Sequence, residues 1–178
     1  MGKVETFFEA DDERNMIFDF DFIGIQNYTR EVVKWAWYVP MVWGKLVNAK
    51  ARKVPYTTME WEVYPESIYQ MLKKFSAYPN VKKILVTENG AAFNDVVKGD
   101  CLHDKRRVDY LKKHIQQILR AKNEGINIQG YFVWTLMDNF EWAEGFNQRF
   151  GLIHIDYHTQ ERVIKDSGYW YADFLRNR

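Results

Sequence analysis

The chain has 178 residues, 25 of them basic and 24 acidic, with a formal net charge of +1. Charges so balanced and interspersed leave no electrostatic footprint for nucleic acid or an anionic membrane, so a neutral partner is expected. Cys101 is the only cysteine, which excludes a disulfide framework and a thiolate zinc site and suits a reducing, cytoplasmic compartment. The length suffices for one domain, 1–178, burying about 70% of its unfolded surface. No apolar run approaches the roughly 20 residues of a membrane span, and Met1-Gly2-Lys3-Val4-Glu5 does not open a signal peptide. Aromatic residues reach 17%, several of them where loops are expected; exposed aromatics beside carboxylates suit sugars or other flat, hydroxyl-rich ligands.

In chain order, Ile17 to Ile25 alternates and then runs apolar, predicting a strand that ends near Tyr28. Thr29 to Glu62 carries Trp35, Trp37, Tyr38, Trp43 and Trp61 without a clean period, and reads as a long functional loop with short pieces of structure. From Pro65, suited to a first helical turn, Ile68, Met71, Leu72 and Phe75 recur at three and four, predicting a helix that Pro79-Asn80 ends. Val81 to Glu88 predicts a second strand, and Asn89-Gly90 reads as a turn. After a loop to about His103, Asp104 can cap a helix whose buried stripe is Val108, Leu111, Ile115, Ile118 and Leu119, with Gly125 as its stop. Ile126 to Leu136 predicts a third strand. Gly151 to Tyr157 and Arg162 to Lys165 flank His158-Thr159-Gln160 as a hairpin. Asp166 to Arg176 closes as a helix that packs through Trp170, Tyr171 and Phe174.

Strands alternating with helices imply parallel βαβ units. Their pitch of about 55 residues would give roughly 430 for an eight-fold barrel, within the upper range of that fold. The expected class is α/β: about three βα units plus a β-hairpin, the C-terminal portion of a (β/α)8 TIM barrel. Parallel strands deliver their C-terminal ends to one face, which in barrels holds the active site. Tyr28, Glu88 and Trp134 lie at or near those ends, and Glu141-Trp142 follows closely. Alone, Glu88 reads as well as a structural acid before a turn. Beside Tyr28 it meets a hydroxyl that can hold the carboxylate ionised and aim it, the requirement of a carboxylate nucleophile. Trp134 and Trp142 offer flat apolar faces to a pyranose, and Glu141 can accept from its hydroxyls. His154, Asp156 and His158 share a strand face at a spacing that could hold a metal, but they read better as the solvent side of the hairpin. Neither metal nor cofactor is expected.

These segments resemble glycoside hydrolase family 1, the retaining β-glucosidases and their relatives, with a bacterial flavour. VTENG, Val86 to Gly90, is similar to the family's nucleophile motif. WTLMDNFEWAEGFNQRFGLIHIDY, Trp134 to Tyr157, resembles its glycone-binding loop and following hairpin. GIQNYTR, Gly24 to Arg30, resembles the segment that supplies a tyrosine to the nucleophile, the usual Asn-Tyr-Tyr reading here Gln26-Asn27-Tyr28. WEVYPESIY and KDSGYWYADF also match. The resemblance implies a catalytic pair of Glu88 and Tyr28. It implies substrate contacts from Trp134, Glu141, Trp142, Phe150 and Gln26, a β-glucoside or oligosaccharide as substrate, and no cofactor. Retaining hydrolysis needs a second carboxyl about 5–5.5 Å from the first, which the family carries in an Asn-Glu-Pro motif absent from this sequence. The expectation is a C-terminal part that is inactive or weak alone, whose partner is the N-terminal part of the barrel or a second copy. A non-catalytic half-barrel assembly piece and a sugar-binding fragment are the alternatives.

Overall fold

The structure, a computed structural model, describes residues 11–15, 18–95 and 102–177; Cys101 and Ile17 lie outside them. A one-turn helix α1 (Asp12–Asn15) precedes β1 (Ile23–Gln26), β2 (Val33–Trp35), β3 (Gly44–Leu46) and α2 (Glu66–Ser76). Then come β4 (Ile84–Asn89), α3 (Lys105–Asn123), β5 (Ile128–Val133), β6 (Ile153–Ile155), β7 (Arg162–Ile164) and α4 (Asp166–Arg176). β1, β4 and β5 form one parallel sheet in that order, with β4 in the middle. The other two sheets are the antiparallel pairs β2–β3 and β6–β7.

The apolar spacing of the sequence explains the core. Ile25, Ile84, Val86 and Ile128 turn one face of the sheet toward Ile68 and Leu72 of α2 and Ile118 and Ala121 of α3. Each large aliphatic side chain so buried contributes about 1.5–3 kcal/mol. A second cluster joins Ala91, Phe93, Tyr110, Leu111 and Leu152 to Val133, Trp170 and Tyr171, and so seats α4. Gly125 follows α3 at φ +95°, a backbone region where glycine carries no Cβ penalty.

Several expected boundaries move. The first strand is confined to Ile23–Gln26, the second starts at Ile84 rather than Val81, and the third ends at Val133, because pairing stops where the neighbouring strand stops. The stripe of α3 also differs: Leu119 is 44% exposed while Tyr110 and His114 are buried. Leu119 lines an open groove beside β5, whereas Tyr110 and His114 reach polar partners inside. Asp104 stands at the N-cap of α3 without a side-chain cap bond, since its carboxylate is taken by Arg107 and Ser167. The 29–62 segment is, as expected, a long connection with short pieces of structure, β2 and β3; within it Arg30 and Arg52 both grip the buried Glu62 and hold its carboxyl pKa at about 2 through those bonds.

Among the described residues no further strand pairs with the outer edges of β1 and β5, and Phe132 is 57% exposed. Among the described residues no helix is long and apolar enough to cross a membrane.

Candidate active site

Glu88 reaches its position through an irregularity in β4. Ile84 and Val86 face the helices, and strict alternation would send Glu88 the same way. Against β1, however, Ile25 pairs with Val86 and Gln26 with Glu88, so Thr87 is an extra residue, and the register against β5 also shifts between Val86 and Asn89. A bulge of this kind re-aims the following side chains. Asn89 becomes the fully buried, helix-facing residue, and Glu88 turns to the other side. There the Tyr28 hydroxyl donates to Glu88 Oε2 at 2.7 Å. Burial first, then the bond to Glu88 and the charges of Glu88 and Glu141, raise the Tyr28 phenol far above its ordinary value. It is a permanent donor in the neutral range.

The surrounding walls come from three further segments. Trp61 and Phe150 pack on Tyr28 with ring centroids 5.3 and 6.2 Å away, and Phe150 is buried. Trp134, just past β5, donates from Nε1 to Glu141 Oε2 at 3.4 Å, so indole and carboxylate are held as a unit. Trp142 is 83% exposed, on a 3₁₀ turn. Gln26 is exposed on the same sheet face as Gly24, in register with Glu88. Tyr28, Glu88 and Phe150 thus stand together, and the Trp134–Glu141 unit lies close enough for the Glu141 charge to bear on Tyr28, while Trp142 stands out in solvent.

Asn89-Gly90 is not the expected turn. Asn89 ends β4 and Gly90 needs no positive φ; a Cβ on Gly90 would lie 1.7 Å from the Trp134 carbonyl oxygen. Gly90→Ala must push the two strand ends apart, and overpacking of this kind costs about 1–3 kcal/mol or more. We expect a lower melting temperature and quenching of Trp134 fluorescence altered relative to the parent; an unchanged melt would contradict the packing.

A second group of buried side chains is ionic. Lys165, fully buried, donates to Asp95 and, at 2.9 Å, to Asp138. Arg107 holds Asp95 and Asp104 and reaches the Ala91 and Arg149 carbonyls, while Arg149 pairs with Asp138. Asp138 is therefore a buried acid with partners. Asp95, Asp138 and His154 converge closely enough to ligate an ion, but the Lys165 ammonium already stands between the two carboxylates. His154, Asp156 and His158, whose spacing could hold a metal, form no such trio among the described residues; the Asp156 carboxylate accepts from the His158 and Thr159 N–H groups to close the hairpin turn.

His114 adds a pH dependence. Its Nδ1 donates to the Tyr110 carbonyl at 2.8 Å, its ring stacks on Tyr110, and Nε2 is buried without a partner. Burial therefore lowers its pKa from 6.5 to about 4. The unfolded chain takes the proton first, so stability is complete above pH 6.5 and falls as the pH drops through 4, by about 3 kcal/mol for this group. His114→Gln should flatten that part of the stability profile, as measured by urea unfolding at pH 7 and pH 4; an equally steep profile would refute the assignment.

The sequence reading missed Trp61, visible only as one aromatic among several, and Asn89, Tyr110 and the Lys165 cluster, whose roles depend on which faces the bulge and helix bring together.

A model of a protein family described as "Glycosyl hydrolase family 1" matches residues 2–178. A 1,4-beta-D-glucan glucohydrolase of Thermotoga neapolitana is 46% identical over 168 residues, 94% of this chain and 37% of the relative. The solved family 1 β-glucosidase of Thermotoga maritima superposes with a TM-score of 0.83 at 48% identity, over 88% of this chain and 35% of that one. A structure of the T. maritima β-glucosidase in complex with castanospermine matches with a TM-score of 0.82, at 48% identity over 88% and 34% of the two chains. The chain thus spans little more than a third of the length of the relatives it matches, and superposes on part of their barrel.

Proposed function

Because the chain belongs to glycosyl hydrolase family 1, we propose that it is the C-terminal part, as one domain, of a retaining β-glucosidase and contributes the nucleophile half of the active site. The observation that carries this reading is the 2.7 Å bond from Tyr28 to Glu88 at adjacent parallel strand ends. It leaves the second Glu88 oxygen to attack. In the first step that oxygen bonds to the anomeric carbon while the bond to the leaving oxygen breaks, and the leaving oxygen takes a proton from a second carboxylic acid. In the second step that group, now a carboxylate, removes a proton from water, which displaces Glu88 with net retention. The second carboxyl is outside these 178 residues in this reading.

Trp134 and Glu141 fit a neutral sugar, the indole stacking on C–H faces and the carboxylate accepting from hydroxyls. Trp142 would join them when substrate is bound. Gln26, Trp61 and Phe150 would line the rest of the sugar site. The named activity of the T. neapolitana relative suggests β-1,4-linked glucosyl residues as substrate. The partner is the remainder of the barrel, which would extend the sheet from the free edges of β1 and β5. An apolar groove of about 400 Å3 between β5 and α4, lined by Phe132, Leu136, Ile164 and Leu175 among others, suits a packing helix or strand.

The test is turnover of an aryl β-glucoside by the purified chain. We expect little or none alone, and recovery when the N-terminal part of a family barrel is supplied in trans; turnover of the chain alone at the rate of an intact enzyme would overturn the proposal. The open edges favour one second reading, a self-associating half-barrel, for which sedimentation is the check: a clean monomer counts against it.

A further inference from the structure

We propose that Asn89, acting together with Tyr110, is a positioning residue that sets the Tyr28–Glu88 pair. The parallel ladder between β1 and β4 ends where the Asn27 N–H donates to the Glu88 carbonyl at 3.2 Å. Beyond that point side chains continue it. Asn89 Nδ2 donates to the Asn27 carbonyl at 2.7 Å and to the Tyr110 hydroxyl at 3.1 Å. The Tyr110 hydroxyl in turn donates to the Tyr28 carbonyl at 3.1 Å. The Asn27 and Tyr28 carbonyls belong to the two peptide planes that meet at the Tyr28 Cα. Fixing both fixes the direction of the Tyr28 Cα–Cβ bond, and with it the phenol.

The amide is itself aimed. Tyr131 of β5 donates to Asn89 Oδ1 at 2.9 Å, so Oδ1 faces β5 and the donating nitrogen faces β1. Asparagine suits the position because it offers two donors and an acceptor from one planar group; aspartate has no donor for either partner, and serine has one. Asn89 is fully buried, as is Tyr110, so water cannot substitute for a lost bond. The consequence for the site is that two consecutive residues do complementary work: Glu88 presents the carboxylate, and Asn89 holds the backbone of the residue that orients it. Through Tyr110, the docking of α3 also bears on the pair. Asn27 is anchored from the other side by the Ser67 hydroxyl of α2 at 2.8 Å, so β1 ends between two helices that both act on its geometry.

The inference takes its functional meaning from Glu88 as nucleophile, but its test needs no turnover. Tyrosine labelled with 13C at Cζ is introduced into the full chain, the Tyr28 signal is assigned with Tyr28→Phe, and its chemical shift is read at pH 7, where the phenol is neutral and the shift reports its bond to Glu88. Tyr110→Phe and Tyr131→Phe each remove one hydroxyl of the network; Tyr69→Phe removes a buried-ring hydroxyl whose partner, Glu124 at 2.6 Å, lies outside it. With Tyr28 no longer aimed at Glu88, its Cζ signal should move toward that of a tyrosine without the carboxylate bond in the first two variants, and stay at the parent position in Tyr69→Phe. An identical Tyr28 signal in the parent, Tyr110→Phe and Tyr131→Phe would overturn the proposal, as would an equal shift in Tyr69→Phe. A reassembled barrel that proves inert would remove the nucleophile reading and leave this result standing by itself.

Discussion

Glu88→Gln in the reassembled barrel should lower turnover of an aryl β-glucoside by at least about 10⁴-fold, the scale of losing a nucleophile. An amide of the same shape keeps the 88 side chain in place but cannot form a stable ester with the anomeric carbon. The Tyr28 hydroxyl would still have an oxygen to donate to, so the walls made by Trp61, Phe150 and Trp134 should survive, and binding should change far less than turnover. Retention of more than a hundredth of the parent rate would remove Glu88 from the role. Tyr28→Phe should fall between, because it deletes the aim and leaves the attacking group.

The largest effect on stability should come from Lys165. Its ammonium is buried against Asp95 and Asp138, whose side chains are themselves fully buried. Burial pulls its pKa down, and the Arg107 charge does so further, while the two carboxylates oppose them. Lys165→Met keeps much of the volume but leaves three buried carboxylates, Asp95, Asp104 and Asp138, to two arginines, and breaking a buried pair in this way costs about 3–5 kcal/mol. For a domain of this size that corresponds to about 10 °C in melting temperature. Adding Asp95→Asn should restore part of the loss, because it removes the excess negative charge. A single variant that melts within a degree or two of the parent would show that the cluster does not hold these loops. The cluster joins the segment after β4, the start of α3, the loop after β5 and the N-terminus of α4, so its failure should also loosen Trp134 and Glu141.

The parts of this molecule that were readable beforehand are those in which one residue type decides the outcome locally. The apolar spacing of Ile68, Met71, Leu72 and Phe75 implied α2, and the hairpin turn at His158-Thr159-Gln160 is present between β6 and β7. Alternating strands and helices implied a parallel sheet, and β1, β4 and β5 form one. The proximity of Tyr28 and Glu88 was legible because both were expected at strand ends on one face. What could not be read depends on register. Nothing in LVTEN announces that Thr87 is extra, yet that one residue decides that Asn89 is buried and Glu88 is not. The same holds for the buried charges. Asp104 looked like a cap and Lys165 like the end of a strand, and their partners lie 63 and 70 residues away. Leu119 was expected inside because its own helix is amphipathic; it is exposed because nothing among the described residues covers that side of β5.

The most direct test is where a mechanism-based inactivator bonds. The chain, combined with the N-terminal part of a family barrel, is treated with a 2-deoxy-2-fluoro β-glucoside, digested and mapped by mass spectrometry. A single glycosyl adduct on Glu88 is the expected result. An adduct on Glu141 or any other carboxylate of this chain, with Glu88 unmodified, would contradict the account.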